Sequence, residues 1–445
     1  MSDMLSIGAS GVRAYQTALT TVSENISNAG TAGYARRTAT IREIAAPNSS
    51  TQKTTNGLGA TVGGIARAGD DFHSAEVRNS GADLARTETS VSWLNRIDSA
   101  LTGNQLGDRL TDFFNSARTV AADPTATAPR AAMLETASSV ATAFANTGQA
   151  LQGAMSDLDA SADAAVAQLN GLSTALAKTN AGLGRVAAGT SGAAALLDER
   201  DRLLESMSAI TNVDVSVDSF GRATVRGGGG GPILVQGDSA GTVTYVRGST
   251  GAVSLAVHLN GETDALASNG GALAGVAEAA QRIASAQSDV EAMASDFTTG
   301  VNAVQAQGRD LTGNAGAPMF TPGDPASQMT LALTDPRGIA AAGVGGGQRD
   351  NSNLSALESL RTSGGFESDL TNQVSANASA LSARQTLSDA QTSIHSSAVA
   401  ARDSASGVNI DEEAVDLLRF QQAYQASSRV IQIARETLQS ILDIR

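Results

Sequence analysis

Cysteine is absent from this chain of 445 residues. Its absence excludes disulfide bonds, thiolate nucleophiles and metal sites with cysteine ligands. An exported protein that assembles outside the cell would avoid cysteine because thiols cross-link in an oxidising exterior. A cytosolic protein can lack cysteine by chance, so this absence alone does not separate the two classes.

Aromatic side chains are also scarce, at 3% of residues, although hydrophobic residues reach 41%. A chain of this length is too long for one compact core and should hold two or more domains. With so little aromatic bulk to bury, we expect narrow cores such as helix pairs and thin sandwiches.

Basic residues are outnumbered, because 30 Lys and Arg stand against 44 Asp and Glu, which gives a formal net charge of −14. Such a chain repels phosphate backbones, so no nucleic-acid partner is expected. Long hydrophobic runs are missing as well: residues 136–156 are uncharged but rich in Ser, Thr, Asn and Gln. We therefore expect no membrane insertion, and the first eight residues lack the basic and apolar regions of a Sec signal peptide.

Each end of the chain carries a heptad pattern, in which apolar residues alternate at spacings of three and four. The first pattern comprises Leu5, Gly8, Val12, Tyr15, Leu19, Val22 and Ile26. The second comprises Leu417, Phe420, Tyr424, Ser427, Ile431, Ala434, Leu438 and Ile441. They predict a helix over residues 4–28 and another over 411–445, whose first turn is acidic, as the helix dipole favours.

Two explanations fit these terminal helices: a core pair inside a monomer, or a pair that assembles with neighbouring subunits. Burying about fifteen seam side chains yields on the order of 20–30 kcal/mol gross. Ordering roughly 60 residues costs about 1–2 kcal/mol each in backbone entropy, which helical hydrogen bonds offset only in part. The pair is therefore marginal alone, and intermolecular assembly is favoured.

Between the ends, helical periodicity gives way to short alternating runs with Gly-rich turns after residue 210, and returns near residue 271. The predicted fold class is mainly α with an inserted β domain: long terminal helices paired as an α-helical coiled-coil shaft, plus an antiparallel β-rich lobe. The predicted domains are an N-terminal helical shaft over 1–210, with a bundle over 71–210; a β-rich insert over 211–270; a returning helical segment over 271–316; a Pro- and Gly-rich segment with a short strand over 317–350; and a C-terminal helical shaft over 351–445.

One sequence pattern suggests catalysis, since residues 237–241 match the G-x-S-x-G pattern around Ser239. A nucleophile elbow needs a strand before the serine and a helix after it, whereas residues 242–246 read as a second strand. A β-hairpin turn explains the glycines better. A secreted serine hydrolase using Ser239 thus stays only as an alternative from a different functional class.

Other patterns also favour structural explanations. Residues 182–187 fit a loose dinucleotide fingerprint, but they follow a helix rather than a strand. Residues 197–203 are dense in charges of alternating sign, which predicts a solvated salt-bridge face on one helix. We expect no catalytic residues, no cofactor and no metal site.

Residues 23–36 read Ser-Glu-Asn-Ile-Ser-Asn-Ala-Gly-Thr-Ala-Gly-Tyr-Ala-Arg. This N-terminal motif resembles the motif S-x-N-I-A-N-x-x-T-x-G-Y of flagellar rod, hook and hook-associated proteins. Residues 407–432, the C-terminal motif, resemble the matching C-terminal pattern of the same group. Residues 34–37, 196–204 and 301–313 are most similar to the hook-associated protein 1 family.

The resemblance implies a structural, non-enzymatic subunit at the hook–filament junction of the flagellum, secreted by the flagellar type III apparatus. Implied partners are further copies of itself in a helical ring, hook protein below, and a second hook-associated protein and flagellin above. A flagellar export chaperone would bind the C-terminal helix. The alternative within the group is another axial protein: hook, distal rod or second hook-associated protein.

The residues expected to form the subunit interface come from both heptad patterns and the N-terminal motif. They are Leu5, Val12, Tyr15, Leu19, Val22, Asn25, Ile26, Asn28, Thr31, Gly33, Tyr34, Leu417, Phe420, Gln421, Tyr424, Ile431, Leu438 and Ile441.

Overall fold

A computed structural model describes residues 2–44, 58–267 and 269–443. Most of these residues are helical, which confirms the predicted fold class. The helices are α1 (Ser2–Ser27), α2 (Asp71–Thr102), α3 (Leu106–Ala122), α4 (Thr127–Leu183), α5 (Ser191–Ile210), α6 (Gly271–Gln307), α7 (Leu354–Gly364), α8 (Phe366–Ser406) and α9 (Ile410–Leu442). The strands are β1 (Arg37–Glu43), β2 (Ala60–Arg67), β3 (Val213–Val217), β4 (Ala223–Gly227), β5 (Ile233–Gln236), β6 (Ser239–Ala240), β7 (Thr242–Arg247), β8 (Val253–Leu259), β9 (Glu262–Leu266), β10 (Phe320–Thr321) and β11 (Thr330–Leu331).

Side-chain caps mark the starts of α2, α5 and α9. The Asp70 side chain accepts hydrogen bonds from the first backbone N–H groups of α2, and Thr190 does the same for α5. Asn409 accepts from the amides of Asp411 and Glu412 at the start of α9. These caps satisfy backbone donors that the helix itself leaves free.

Six of the nine phenylalanines lie in the core of the helical bundle. Phe113 packs edge-to-face on Phe297, with ring centroids 5.3 Å apart, and Phe114 stacks on Phe366. Phe144 of α4 packs on Phe297, so the cluster joins α3, α4, α6 and α8. Helix α4 has 57 residues and is about 85 Å long. A second apolar core lies between α4, α5 and the strands that follow.

The β lobe consists of two antiparallel sheets, with strand orders β3-β4-β5-β6 and β7-β8-β9. Two asparagines of α4 bond to its backbone: Asn170 exchanges hydrogen bonds with Val243, and Asn180 with Ala223. Asp159 of α4 also accepts from the Tyr245 hydroxyl at 2.8 Å. The lobe is therefore held against the side of one long helix.

Ser239 lies in β6, directly after the turn at Gly237, whose φ is +60°. It pairs with Gln236 of β5, and β7 follows without an intervening helix. This confirms the hairpin interpretation of the G-x-S-x-G pattern. Both ring nitrogens of His258 lie near threonine hydroxyls, at 3.2 Å from Thr244 and 2.8 Å from Thr263.

Two features differ from the sequence expectation. Residues 37–43 and 60–67 pair as antiparallel strands, which we call hairpin β1–β2, and this pairing was not predicted. The short strand expected within residues 317–350 is the two-residue β11, which pairs with a second short strand, β10. The division into domains stays a prediction.

Candidate assembly site

Helices α1 and α9 pair in antiparallel orientation. Gly8 lies against Ile431, Tyr15 lies near Phe420 with ring centroids 6.4 Å apart, and Asn25 contacts Glu413. We call α1 and α9 together the terminal pair. The two ends of the chain thus form one rod, as the heptad patterns predicted.

Small residues form the line of closest approach in this pair. The buried positions of α1 are spaced as one helix face and comprise Gly8, Gly11, Ala14, Ala18, Thr21, Val22 and Asn25. A Cβ built at Gly8 would lie 2.7 Å from Ile431 Cγ1, and one at Gly11 would lie 2.7 Å from Ser427 Oγ. Both distances are far below van der Waals contact, so only glycine permits this close packing.

The large side chains expected at the seam flank this line. Leu5, Val12, Tyr15, Leu19, Ile26, Leu417, Phe420, Tyr424 and Ile431 are half-buried, and Val22 is buried. Gln421, Leu438 and Ile441 are exposed in the single chain, the last two by 42% and 53%. The assignment of these residues to a subunit interface stays a prediction.

Asn25, in the N-terminal motif, is completely buried and uses its whole side chain in hydrogen bonds. Its amide nitrogen donates to the Arg37 carbonyl at 2.7 Å and to Glu413 Oε2 at 2.9 Å. Its oxygen accepts from the Tyr34 hydroxyl at 2.9 Å and the Arg37 amide at 3.0 Å. Two donors and two acceptors are the full capacity of an asparagine. One residue therefore ties α1, the following loop and α9 together.

Glu413 is the partner of Asn25 on α9 and is only 1% exposed. Its other oxygen accepts from Arg36 Nε at 2.7 Å, and the same guanidinium lies 3.4 Å from Glu412 and 3.6 Å from Asp416. The hydrogen bond to Glu413 is the main cause of the raised pKa of Arg36. The acidic residues at the start of α9 thus bind Arg36 in addition to interacting favourably with the helix dipole.

The charges of α5 correct one sequence interpretation. Residues 197–203 were expected to form a solvated salt-bridge face, but Asp198 and Asp201 are buried to 14% and 17% exposure. Asp198 accepts from Arg37 at 2.8 Å and from Arg67 at 2.6 Å. Asp201 takes a second bond from Arg67 at 2.8 Å. The expectation was therefore wrong for these two carboxylates, which hairpin β1–β2 covers, whereas Glu199 and Arg202 do form an exposed ion pair at 2.6 Å.

Burial and charge act in opposite directions on Arg67. Burial lowers the pKa of its guanidinium, but Asp201 and Asp198 more than offset this, so the net pKa is raised. Burial raises the pKa of the Tyr34 hydroxyl, which donates a hydrogen bond to Asn25. The guanidinium of Arg37 lies over the Tyr34 ring, with its central carbon 4.8 Å from the ring centroid. Both groups keep their ordinary protonation state at neutral pH.

The remaining residues of the N-terminal motif shape the turn that presents Tyr34. Asn28 donates to the Glu24 carbonyl at 2.8 Å and closes the end of α1. The Thr31 amide donates to the Asn28 carbonyl at 2.9 Å, and the Tyr34 amide donates to the Thr31 carbonyl. Gly33 has φ of +77°, a region that other residues rarely adopt.

We call this polar cluster the joint; it comprises Asn25, Tyr34, Arg36, Arg37, Arg67, Asp198, Asp201 and Glu413. The two apolar cores of the described residues include no member of the terminal pair or of hairpin β1–β2. The terminal pair is therefore fastened to the bundle through charge-assisted hydrogen bonds. Sequence reasoning missed Arg67, Asp198 and Glu413 as a unit because they lie more than a hundred residues apart along the chain.

Among the described residues, no helix combines the length and apolarity needed to cross a bilayer. Among the same residues, no group of three or more His, Asp or Glu side chains is placed to hold a metal ion.

Comparison with known proteins identifies the group to which this arrangement belongs. A family model described as the helical domain of the flagellar hook-associated protein FlgK matches residues 94–320. The chain belongs to this family. A model of the C-terminal region of flagellar basal body rod FlgEFG proteins matches residues 401–444, which include α9. The resemblance inferred from the terminal motifs is confirmed.

Curated relatives carry the name flagellar hook-associated protein 1. The protein of Salmonella typhimurium strain LT2 is 27% identical, over 73% of this chain and 60% of the relative. That of Escherichia coli K12 is 27% identical, over 77% and 64%. The chain thus spans less than two thirds of the length of these family members. The protein of Bacillus subtilis strain 168 is 24% identical, over 97% of this chain and 96% of the relative.

The fold of the family is seen in a solved structure, that of the flagellar hook junction protein FlgK from Burkholderia pseudomallei. It matches with a TM-score of 0.50 at 21% identity, over 56% of this chain and 47% of the other. The likeness supports the helical fold with its small antiparallel sheets.

Proposed function

We propose that this protein is a structural subunit of the bacterial flagellum that forms the junction between hook and filament. The observation that carries the proposal is the terminal pair, a rod made from both chain ends and held to the bundle by the joint. Membership of the FlgK family and the name of its relatives support the same function.

The exposed side of α9 supports assembly with neighbouring subunits. Val415, Leu418, Ile433 and Leu442 are 55–65% exposed, although they belong to the larger aliphatic side chains of the helix. Full burial of such a side chain is worth about 1.5–3 kcal/mol, so contact with other subunits would recover what a single chain leaves in water. In a ring, the terminal pairs would line the inner tube and the β lobes would face outward.

The same surface suggests how the subunit is handled before and after assembly. Exposed Leu438, Ile441 and Leu442 at the end of α9 offer an apolar face for a flagellar export chaperone until assembly covers it. After export by the type III apparatus, the ring would contact hook protein below. The second hook-associated protein and flagellin would follow above.

Deletion of the gene tests this function. The deletion strain should carry hooks without filaments and release flagellin into the medium, and a plasmid copy of the gene should restore filaments. Filaments of normal number and length on the deletion strain would overturn the proposal. A matched strain lacking only flagellin shows whether hook assembly itself is intact.

A second candidate is another axial part, such as hook or distal rod. The match of residues 401–444 to the C-terminal region of rod proteins favours it, since α9 is a general axial element. Immunogold labelling separates the two. Gold at the hook tip supports the junction, whereas gold along the whole hook or at its base supports the alternative.

A further inference from the structure

Helix α8 changes character after Asn377. Before this residue, Phe366 and Leu370 are buried in the core of the helical bundle. After it, no residue of the described helix is buried until Ser406. We call residues 378–406 the distal segment of α8.

Large apolar side chains are rare in the distal segment, which contains only Leu381, Leu387, Ile394 and Val399. Leu387 and Ile394 are 41% and 59% exposed, and the other two are half-buried. Packed helices are held together mainly by the burial of such side chains. The distal segment therefore adheres more weakly to its neighbours than the first turns of α8 do.

The face that the distal segment turns toward the bundle is polar. His395 lies 3.1 Å from the Ser80 hydroxyl of α2, and Arg384 pairs with Glu278 of α6 at 2.9 Å. Spacings of seven and four residues place Gln391 on the same face of the helix as Arg384 and His395. The Oε1 atom of Gln391 is enclosed, yet it has no hydrogen-bond partner within the described part of the chain. An enclosed oxygen without a partner favours any state of the helix in which water reaches it.

The end of the distal segment reaches the joint. Arg402 pairs with Glu205 of α5 at 3.0 Å, and the Ser406 carbonyl accepts a hydrogen bond from the Arg36 amide at 2.8 Å. Arg36 also binds Glu413 of α9 through its side chain. Movement of the distal segment would therefore change one of the links between the terminal pair and the bundle.

We propose that the distal segment opens from α2 as one unit while residues 366–377 stay packed in the bundle core. Opening brings the Gln391 oxygen into contact with water and breaks the hydrogen bond between Ser406 and Arg36. The distal segment is thus a hinge that lets the terminal pair change its angle to the bundle. This hinge is a property of the single chain and is independent of the proposed function.

Hydrogen–deuterium exchange of the purified full-length protein tests the hinge. Peptides from residues 366–377 and 378–406 are measured in the same sample, after correction for intrinsic exchange rates. The opening constant of the distal segment should be about 100-fold larger than that of residues 366–377, because a local opening needs less free energy than the unfolding of a core. Equal opening constants in the two regions would overturn the proposal.

Gln391→Leu should hold the hinge closed, because an apolar side chain of similar size replaces the oxygen that has no partner. The opening constant should fall roughly tenfold throughout residues 378–406. Native exchange of residues 366–377 shows that the variant is folded. Gln385→Leu is the matched control, because Gln385 is exposed on the same segment. It should change the opening constant by no more than about twofold.

Three results with these variants would contradict the hinge. The first is an opening constant that Gln391→Leu leaves unchanged, and the second is an equal decrease in Gln391→Leu and Gln385→Leu. The third is slower exchange only within one turn of residue 391, since the distal segment would then not open as a unit.

Discussion

Replacing Asn25 by Asp changes one atom group in the joint and should make the terminal pair sensitive to pH. In the native chain the Asn25 amide nitrogen lies 2.9 Å from Glu413 Oε2 and 2.7 Å from the Arg37 carbonyl. In Asn25→Asp an oxygen takes its place, so two carboxylates face each other in a buried site. At this distance their repulsion is about 6 kcal/mol with an effective dielectric constant of about 20.

The loss of folding free energy is limited, because the two facing carboxylates can take up one proton and share it. Protonating a carboxylate with an unfolded pKa of about 4.3 costs about 1.4 kcal/mol per pH unit above that value, or about 3.7 kcal/mol near pH 7. The folded pKa of the pair is raised above the unfolded one. The variant is therefore close to native stability below about pH 4.3 and loses stability as the pH rises.

Hydrogen–deuterium exchange of peptides from α1 and α9 measures this effect locally. The opening constant of the terminal pair should rise about 500-fold near pH 7 and only about 5-fold near pH 5, after correction for the intrinsic exchange rate. Asn25→Ala is the control, because it removes the same hydrogen bonds without adding a titrating group. Equal pH dependence in the two variants would refute the assigned contact between Asn25 and Glu413.

Two further substitutions test the packing of the terminal pair and of the lobe. Gly8→Val should weaken the terminal pair, because its Cβ would lie 2.7 Å from Ile431 Cγ1. Gly153→Ala in α4, where nothing lies within 4 Å of the new Cβ, should instead raise the free energy of unfolding by up to about 1 kcal/mol. Thermal unfolding of the two variants measures this difference. Asp159→Asn should cost about 1–2 kcal/mol in urea unfolding, because Asp159 accepts from Arg247 at 2.7 Å and from Tyr245. The hydrogen bond from Arg247 holds the pKa of Asp159 below its ordinary value. The native contribution is therefore complete above about pH 4 and is lost as the pH falls through the lower folded pKa, whereas the variant should show no such loss.

The terminal helices were predictable because their apolar residues repeat over several turns, and periodicity survives whatever the helix packs against. The line along which these two helices contact each other could not be predicted. Hydrophobicity ranks Leu19 and Ile26 above Gly8 and Gly11, yet two antiparallel helices approach most closely where side chains are smallest. The large residues then flank the contact, which leaves them partly available to other subunits.

The ion pairs of the joint could not be predicted from the sequence for a different reason. The N-terminal motif marked Asn25 and Tyr34 by resemblance, but nothing in the sequence pairs Arg67 with Asp198, which lies 131 residues away. Charge alternation in α5 predicts a solvated face when the helix is considered alone. Hairpin β1–β2 lies over Asp198 and Asp201 and makes them partly buried ion-pair partners, and only the tertiary structure supplies that information.

The central claim is that the terminal pair carries assembly, and binding to isolated hooks tests it most directly. Purified full-length protein and a variant lacking residues 411–445 are added to hooks from the deletion strain, and bound protein is counted by immunogold labelling. The emission of Trp93, which packs against the bundle core, reports whether the shortened protein is folded. Full-length protein should label hook tips while the folded, shortened protein does not; equal labelling of tips by both would contradict the account.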